Sequence, residues 1–256
     1  MKLKGIHAGF IHCEPGHHKA FNQWHDFDHR PENHALPHIF HSQRWVAPPD
    51  YIAVRDRVDD TYFTYGGGEY FVTYWTEGTL EDLTHDMALL RDQTKLLGRF
   101  DYEFKSLGLG RDPERFGWDR KYDFIKAWTQ ESLTVSASAV PLMPHEGIYV
   151  VLSEVIDGTR RDEWSMWYDM TRVHDILKCK GFMAAFRFAV LKRMPTPLVL
   201  DLYFLDEEPL ASVANQRAQM ADWDKRGRGF PEESVRNVLL CGPYRPITPG
   251  QYDFYD

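Results

Sequence analysis

The chain opens on Gly5-Ile6-His7-Ala8-Gly9-Phe10-Ile11, whose branched and aromatic content predicts a strand. Gly16 marks a turn. After it Phe21, Trp24 and Phe27 recur at helical spacing, so they predict one apolar stripe on a helix that Pro31 and Pro37 bound. Two more strand-like runs follow, Phe40–Val46 and Glu69–Thr76. Thr79 with Asp82 three residues on is the acidic variant of a capping box and predicts a helix from Thr79 to Leu97. Asp101–Leu107 is expected to be a closing strand.

The same series then repeats. Gly147-Ile148-Tyr149-Val150-Val151-Leu152 predicts a strand, Gly158 a turn, Phe182–Leu191 and Leu198–Leu205 two further strands. Pro209–Asp224 fits the second helix, with proline in its first turn, and Val235–Leu240 the closing strand. Two helical segments match without a gap at a separation of 143 residues: Trp24 meets Trp167, Asp26 meets Asp169, and the register carries on to Arg44 with Arg187 and Trp45 with Phe188. The order β-α-β-β-α-β, twice, is the ferredoxin-like motif. The expected fold class is therefore α+β, with two tandem ferredoxin-like units packed sheet to sheet as an intrachain α+β barrel. The units span residues 1–110 and 146–256. Residues 111–145 form a connector in which Trp118, Tyr122, Phe124, Ile125 and Trp128 predict a packed helix. Ala47–Gly68 reads as an enlarged loop made flexible by Gly66-Gly67-Gly68, and the stretch from Pro243 as a surface arm.

Bulk properties narrow the function classes. A chain of 256 residues with net charge −8 and a pI near 5.8 lacks the basic surface that phosphate contacts require, so no nucleic acid is expected. No apolar run approaches a membrane span or a signal peptide. Cys13, Cys179 and Cys241 are too scattered for a disulfide framework or a thiolate zinc site, and a cytoplasmic location is expected. The aromatic share of 14% supplies core fillers and also walls for flat apolar ligands. No phosphate loop or nucleophile elbow is present, so no nucleotide cofactor is expected.

Nine of the twelve histidines fall between His7 and His41. Imidazoles suit acid–base work near neutral pH. His29, beside Asp28 and just before Pro31, is either a general acid or base or a charge at a helix C-terminus. His7, mid-strand on the face shared with Gly9 and Ile11, is either a second acid–base group or a hydrogen-bonded core residue. His17 and His18 read as solvated turn residues. His25 and His29 share a helix face, with His34, His38 and His41 following. The spacing leaves a metal ion or haem as an alternative, but the prolines break the ligand geometry and no metal is expected. Trp24, His25, Phe40, Arg44 and Tyr74 are the expected substrate-binding residues.

The segment Trp24-His25-Asp26-Phe27-Asp28-His29-Arg30-Pro31, followed by Arg44-Trp45, resembles the first-helix signature of the dimeric α+β barrel proteins, especially their EthD-like branch. That resemblance implies a small-molecule enzyme: the superfamily holds cofactor-free monooxygenases, polyketide cyclases, lactone isomerases and decarboxylases, and some members bind haem. It implies His29 as base or acid, Asp28 as its orienting partner and His7 as a second proton carrier. In polyketide cyclases of this fold a first-strand histidine does acid–base chemistry. The leading expectation is a lyase, decarboxylase, cyclase or isomerase acting on an aromatic or polyketide-like molecule. A cofactor-free or haem-dependent monooxygenase and a non-catalytic binding or stress protein are the alternatives, and a homodimer is left open. Thr171 and Arg172 stand where the first copy has Asp28 and His29, so one active pocket is expected, in the first copy.

Overall fold

A computed structural model describes residues 2–13, 15–58, 63, 68–99, 120–190 and 197–255. In chain order its elements are β1 (Gly5–Ile11), α1 (His18–Trp24), a π-helical turn (His25–His29), α2 (Arg30–His34), β2 (Ile39–Val46), α3 (Pro49–Ala53), β3 (Arg57–Val58), β4 (Tyr70–Thr76), α4 (Leu80–Leu96) and β5 (Arg120–Thr129). Then follow β6 (Gly147–Val155), α5 (Arg161–Trp167), a second π-helical turn (Tyr168–Arg172), α6 (Val173–Leu177), β7 (Phe182–Val190), β8 (Leu198–Leu205), α7 (Pro209–Lys225) and β9 (Arg236–Pro246). The fold is mixed α+β with antiparallel pairing. Among the described residues, no helix is long and apolar enough to cross a membrane.

The chain divides into two compact units. The first holds Met1–Pro49, Asp60–Asp123 and Pro246–Asp256, and the second holds Asp50–Asp59 and Phe124–Arg245. The first unit has strand order β2-β4-β1-β5 and the second β7-β8-β6-β9, with β3 at its edge. Numbered within its own unit, each order is 2-3-1-4, the ferredoxin-like arrangement. A shared steric demand confirms the correspondence. A Cβ on Gly5 would lie 2.5 Å from the Tyr122 carbonyl and 2.7 Å from Leu80; one on Gly147 would lie 2.4 Å from the Tyr244 carbonyl and 2.5 Å from Pro209. Each unit thus starts its first strand on a glycine because the fourth strand and the second helix leave no room for a side chain. Gly147→Ala is expected to cost about 1–3 kcal/mol, seen as a lower urea midpoint with an unchanged slope.

The helical pattern departs from expectation at the π turn. The Arg30 N–H reaches back five residues to the His25 carbonyl. Pro31 falls in the first turn of α2, where a missing N–H is tolerated, so it does not end the helix. His29 is therefore an internal residue and not a C-terminal cap. The extra residue also rotates the apolar stripe: Phe21 stays buried, whereas Phe27 is 64% exposed. The second unit carries the same interruption, with Met170 exposed in the place of Phe27.

Three other segments differ. Residues 120–129 of the expected connector helix are strand β5, whose first residues pair with β1 in the register Gly5 to Asp123 through Ala8 to Arg120. The apolar spacing of Tyr122, Phe124, Ile125 and Trp128 is compatible with either period, and strand pairing decides it. The strand expected at 101–107 lies outside the described residues. The enlarged loop holds α3 and β3, and Arg57 and Val58 pair with Cys241 and Leu240 of β9. The stretch after Pro243 first completes β9 and then packs on the first unit: Tyr255 stacks on His18 at 4.4 Å, and Phe254 and Tyr255 cover Cys13, Phe21, Val46 and Tyr70. His18 is accordingly buried, with Nδ1 2.7 Å from the Tyr70 hydroxyl, while His17 is exposed.

Candidate active site

The floor of the site is a cross-strand row. His7 of β1 lies opposite Tyr74 of β4 on one side and Lys121 of β5 on the other, so the three side chains share the helix-facing surface of the sheet. The rings of His7 and Tyr74 are 5.8 Å apart. Above this row, α4 contributes Thr84, Met87, Ala88, Arg91 and Thr94, and the π turn with α2 contributes His29, Glu32 and Asn33. Together they enclose a cavity of about 320 Å³. That is the lower end of the range for small-molecule sites, roughly 300–1,000 Å³.

The π turn sets the orientation of His29. Its ring stacks on Trp24 at 4.7 Å and 18°, and meets His25 edge-on at 5.1 Å. The Asn33 amide donates to the His29 carbonyl at 2.9 Å and lies 3.3 Å from Nε2. Asp28 does not take the expected orienting role: its carboxylate is held by Arg99, which also binds Glu32. The π turn separates adjacent side chains around the helix axis, so Asp28 and His29 point to different partners.

Of the expected site residues, His7, His29 and Tyr74 line the cavity, and Trp24 backs His29. His25 and Arg44 lie in a buried polar layer beside it. Arg44 donates to Asn22 Oδ1 at 2.6 Å and pairs with Asp26 at 2.8 Å, Asn22 donates to the Tyr70 hydroxyl at 2.9 Å, and Tyr252 donates to Asp26 at 2.9 Å. Phe40 falls at a β-bulge between Ile39 and His41 and is not among the cavity residues. Lys121, Thr94, Met87 and Asn33, which also line the cavity, were not legible from the sequence. Lys121 required β5 to be recognised as a strand, and the others look like ordinary helix positions. Among the described residues, no group of three or more His, Cys, Asp and Glu has the geometry to hold a metal ion.

His25 is buried, and its pKa is held well below 6.5, first by desolvation and then by the positive charges of Arg44, His29 and Arg30. The unfolded chain takes up a proton near pH 6.5 that the folded protein refuses, so stability must fall as pH drops below that value. The expected slope from this residue is up to about 1.4 kcal/mol per pH unit, down to its folded pKa. Comparing the pH dependence of unfolding free energy with that of His25→Phe isolates it, and the variant should lose this component of the slope.

In the second unit the volume over the matching strand row is filled. His7 corresponds to Tyr149, Tyr74 to Tyr203, and His25 to Tyr168. Tyr149, Phe182, Tyr203, Tyr168 and Val213 are buried in one core cluster. The Tyr149 hydroxyl donates to Asp56 at 2.6 Å, and the Tyr168 and Tyr203 hydroxyls bond each other. The second unit has a charged surface cavity at the end of α7, and three of its lining residues, Asp175, Gln219 and Trp223, correspond to Glu32, Leu90 and Thr94 of the first-unit cavity.

No family model matches the sequence, and no curated protein matches it. Solved structures do match in fold. One is an anthrone oxidase-like protein: 12% identity, TM-score 0.52, covering 98% of this chain and 95% of its own. Another is described as a chlorite dismutase, with 9% identity, TM-score 0.52 and coverage of 98% and 97%. A third, from Fusobacterium nucleatum and described as a monooxygenase, gives 7% identity, TM-score 0.50 and coverage of 99% and 97%. At these identities the likeness shows a shared architecture alone, a mixed α+β fold with a large antiparallel sheet.

Proposed function

We propose that the chain is an enzyme that moves a proton next to a carbonyl or phenol of an aromatic or polyketide-like small molecule, in the cavity of the first unit. The reaction would be a lyase, decarboxylase, cyclase or isomerase step without a nucleotide cofactor. One observation carries this reading. His7 and His29, expected as proton carriers, and Tyr74, expected as a pocket wall, line a single cavity with Lys121, while in the second unit the counterparts of His7 and Tyr74, Tyr149 and Tyr203, are buried in a core cluster. His29 serves as general base or acid, held by Trp24 and Asn33. His7 returns the proton, flanked by Tyr74 and Lys121. Asp28 acts at one remove, by fixing Arg99 against the helix that carries His29.

The matched glycines, π turns and strand orders support descent of the two units from one duplicated ferredoxin-like ancestor. The His25–Pro31 segment supports placing it in the EthD-like branch. A cytoplasmic setting fits three cysteines that form no disulfide.

The test is hydrogen exchange in D₂O with 2-tetralone, which carries acidic protons beside a carbonyl. The protein should accelerate deuterium uptake well above buffer, with saturation at one site per chain. Exchange no faster than with heat-denatured protein would remove the proton-transfer reading.

A further inference from the structure

The ends of α4 and α7 are built alike. Both helices span seventeen residues and start on a capping side chain, Thr79 or Glu208, so they align without a gap. Gly98 and Gly227 follow them, each with φ of 68°. This left-handed step turns the next residue back onto the helix end. The Arg99 N–H donates to the Thr94 carbonyl at 2.9 Å, and the Arg228 N–H to the Trp223 carbonyl at 3.0 Å. The two arginines are therefore equivalent, and each binds a carboxylate on the short helix opposite. Arg99 binds Glu32 of α2, and Arg228 binds its counterpart, Asp175 of α6, through two bonds of 2.7 Å.

The surroundings of the two arginines differ in charge. In the first unit Arg99 also binds Asp28, so one cation meets two carboxylates. In the second, Thr171 replaces Asp28, and Arg228 keeps a single carboxylate. Lys178 and Arg226 stand where the first unit has Ala35 and Leu97. Asp222, in the place of Gln93, pairs with Arg226 at 2.6 Å. These residues line the cavity at the end of α7, which measures about 500 Å³. Burial pushes the Cys179 thiol in its wall up to about 11, so it adds no charge near neutral pH. The cavity thus holds three cations against two carboxylates, a surplus of one positive charge. Among the described residues, the Lys178 ammonium and Nη1 of Arg228 meet no acceptor. Arg228 is also held in place: the glycine turn fixes its N–H, its carbonyl accepts the Trp167 indole N–H at 3.0 Å, and Asp175 is buried.

We propose that this cavity binds a small organic carboxylate, held by Lys178 and Nη1 of Arg228, with its carbon body against Trp223 and Cys179. One surplus positive charge matches one carboxylate. The volume falls within the roughly 300–1,000 Å³ of small-molecule sites, which leaves room for an organic body and not only for the charged group. The site is additional to the cavity of the first unit and shares no residue with it.

The experiment titrates benzoate, benzamide and acetate into the full chain by calorimetry. Benzoate should bind at one site per chain. Benzamide, which keeps the ring without the charge, should bind roughly tenfold more weakly. Acetate, which keeps the charge without the ring, should also bind more weakly than benzoate. Lys178→Glu reverses an exposed charge, so it should keep the melting temperature while weakening benzoate by about tenfold or more. Asp222→Asn removes a carboxylate from the wall and should strengthen benzoate by about two- to fivefold. Benzoate binding that ignores both substitutions overturns the proposal, as does an absence of binding at millimolar benzoate. Equal affinity for benzoate and benzamide removes the anion site, and equal affinity for benzoate and acetate removes the seat for an organic body; either overturns it. None of these readouts uses 2-tetralone, so failure of the proton-transfer reading leaves the test intact.

Discussion

Replacing His29 with glutamine is expected to lower the rate of catalysed proton exchange by about 10²–10⁴-fold, or roughly 3–5 kcal/mol at the barrier. Glutamine keeps a polar side chain of similar reach but carries no proton at neutral pH. The loss should appear mainly in turnover, because the remaining cavity walls on β1, β4 and α4 stay in place. His29 sits inside a continuous helical segment, so no helix-dipole contribution is lost and the melting temperature should move little. A variant with full turnover and reduced stability would make His29 a packing residue and move the chemistry to His7.

The second large effect is on stability. Asp26 and Arg44 form a buried pair, each with about 2% of its side chain exposed. Arg44 also lies over the rings of Phe21 and Tyr70. Taking charges out of water costs several kcal/mol per ion, and here the cost is offset by hydrogen bonds from Arg44 to Asn22 and from Tyr252 to Asp26. Asp26→Ala removes one partner and strands the guanidinium, so unfolding free energy should fall by about 3–5 kcal/mol. Changing both residues to apolar ones, Asp26→Leu with Arg44→Met, should recover much of that loss, since a stranded charge and not a missing bond dominates it. A loss below about 1 kcal/mol for Asp26→Ala, from urea unfolding with an unchanged slope, would show that water reaches the pair.

How far the sequence could be read follows from what each element depends on. The strands β1, β2, β4, β6, β7 and β8 and the helices α4 and α7 were legible because apolar periodicity, caps and turns agree within each segment. The gap-free match from Trp24 to Trp45 carried the equivalence of the two π turns, but not the turns themselves. A π bulge has no periodicity of its own, and it alone exposes Phe27, keeps Pro31 within the helical run and turns Asp28 toward Arg99. β5 was misread because its apolar residues also satisfy a helical period. With it went Lys121, whose place beside His7 depends entirely on strand register. His7 and His29 were singled out by residue chemistry and Tyr74 as a pocket wall, and all three line the cavity; Phe40 sits at a bulge in β2 that shifts the register there and is not among the cavity residues.

The substitution of Arg44–Asp26 by Arg187–Asp201 between the units shows how a buried charge can be conserved while its partner moves. Arg187 stacks over Tyr168 at 3.6 Å and binds Asp201 through two bonds of 2.7 and 3.0 Å, whereas Asp169 lies 4.0 Å away. Asp201 is the cross-strand neighbour of Arg187, in the place where Val72 faces Arg44. With the carboxylate on the strand, Asp169 of the second unit's π turn pairs instead with Lys126 of β5 at 3.0 Å. In the first unit the Asp26–Arg44 pair holds the π turn carrying His29 against β2.

Histidine ring signals of the wild-type chain, followed by NMR as 2-tetralone is added, test most directly whether the cavity between His7 and His29 is where the small molecule binds and reacts. The account predicts that the signals of His7 and His29 move together and saturate at one equivalent per chain, while those of His85 and His174 stay in place. Catalysed exchange of 2-tetralone with the His7 and His29 signals unmoved would contradict it.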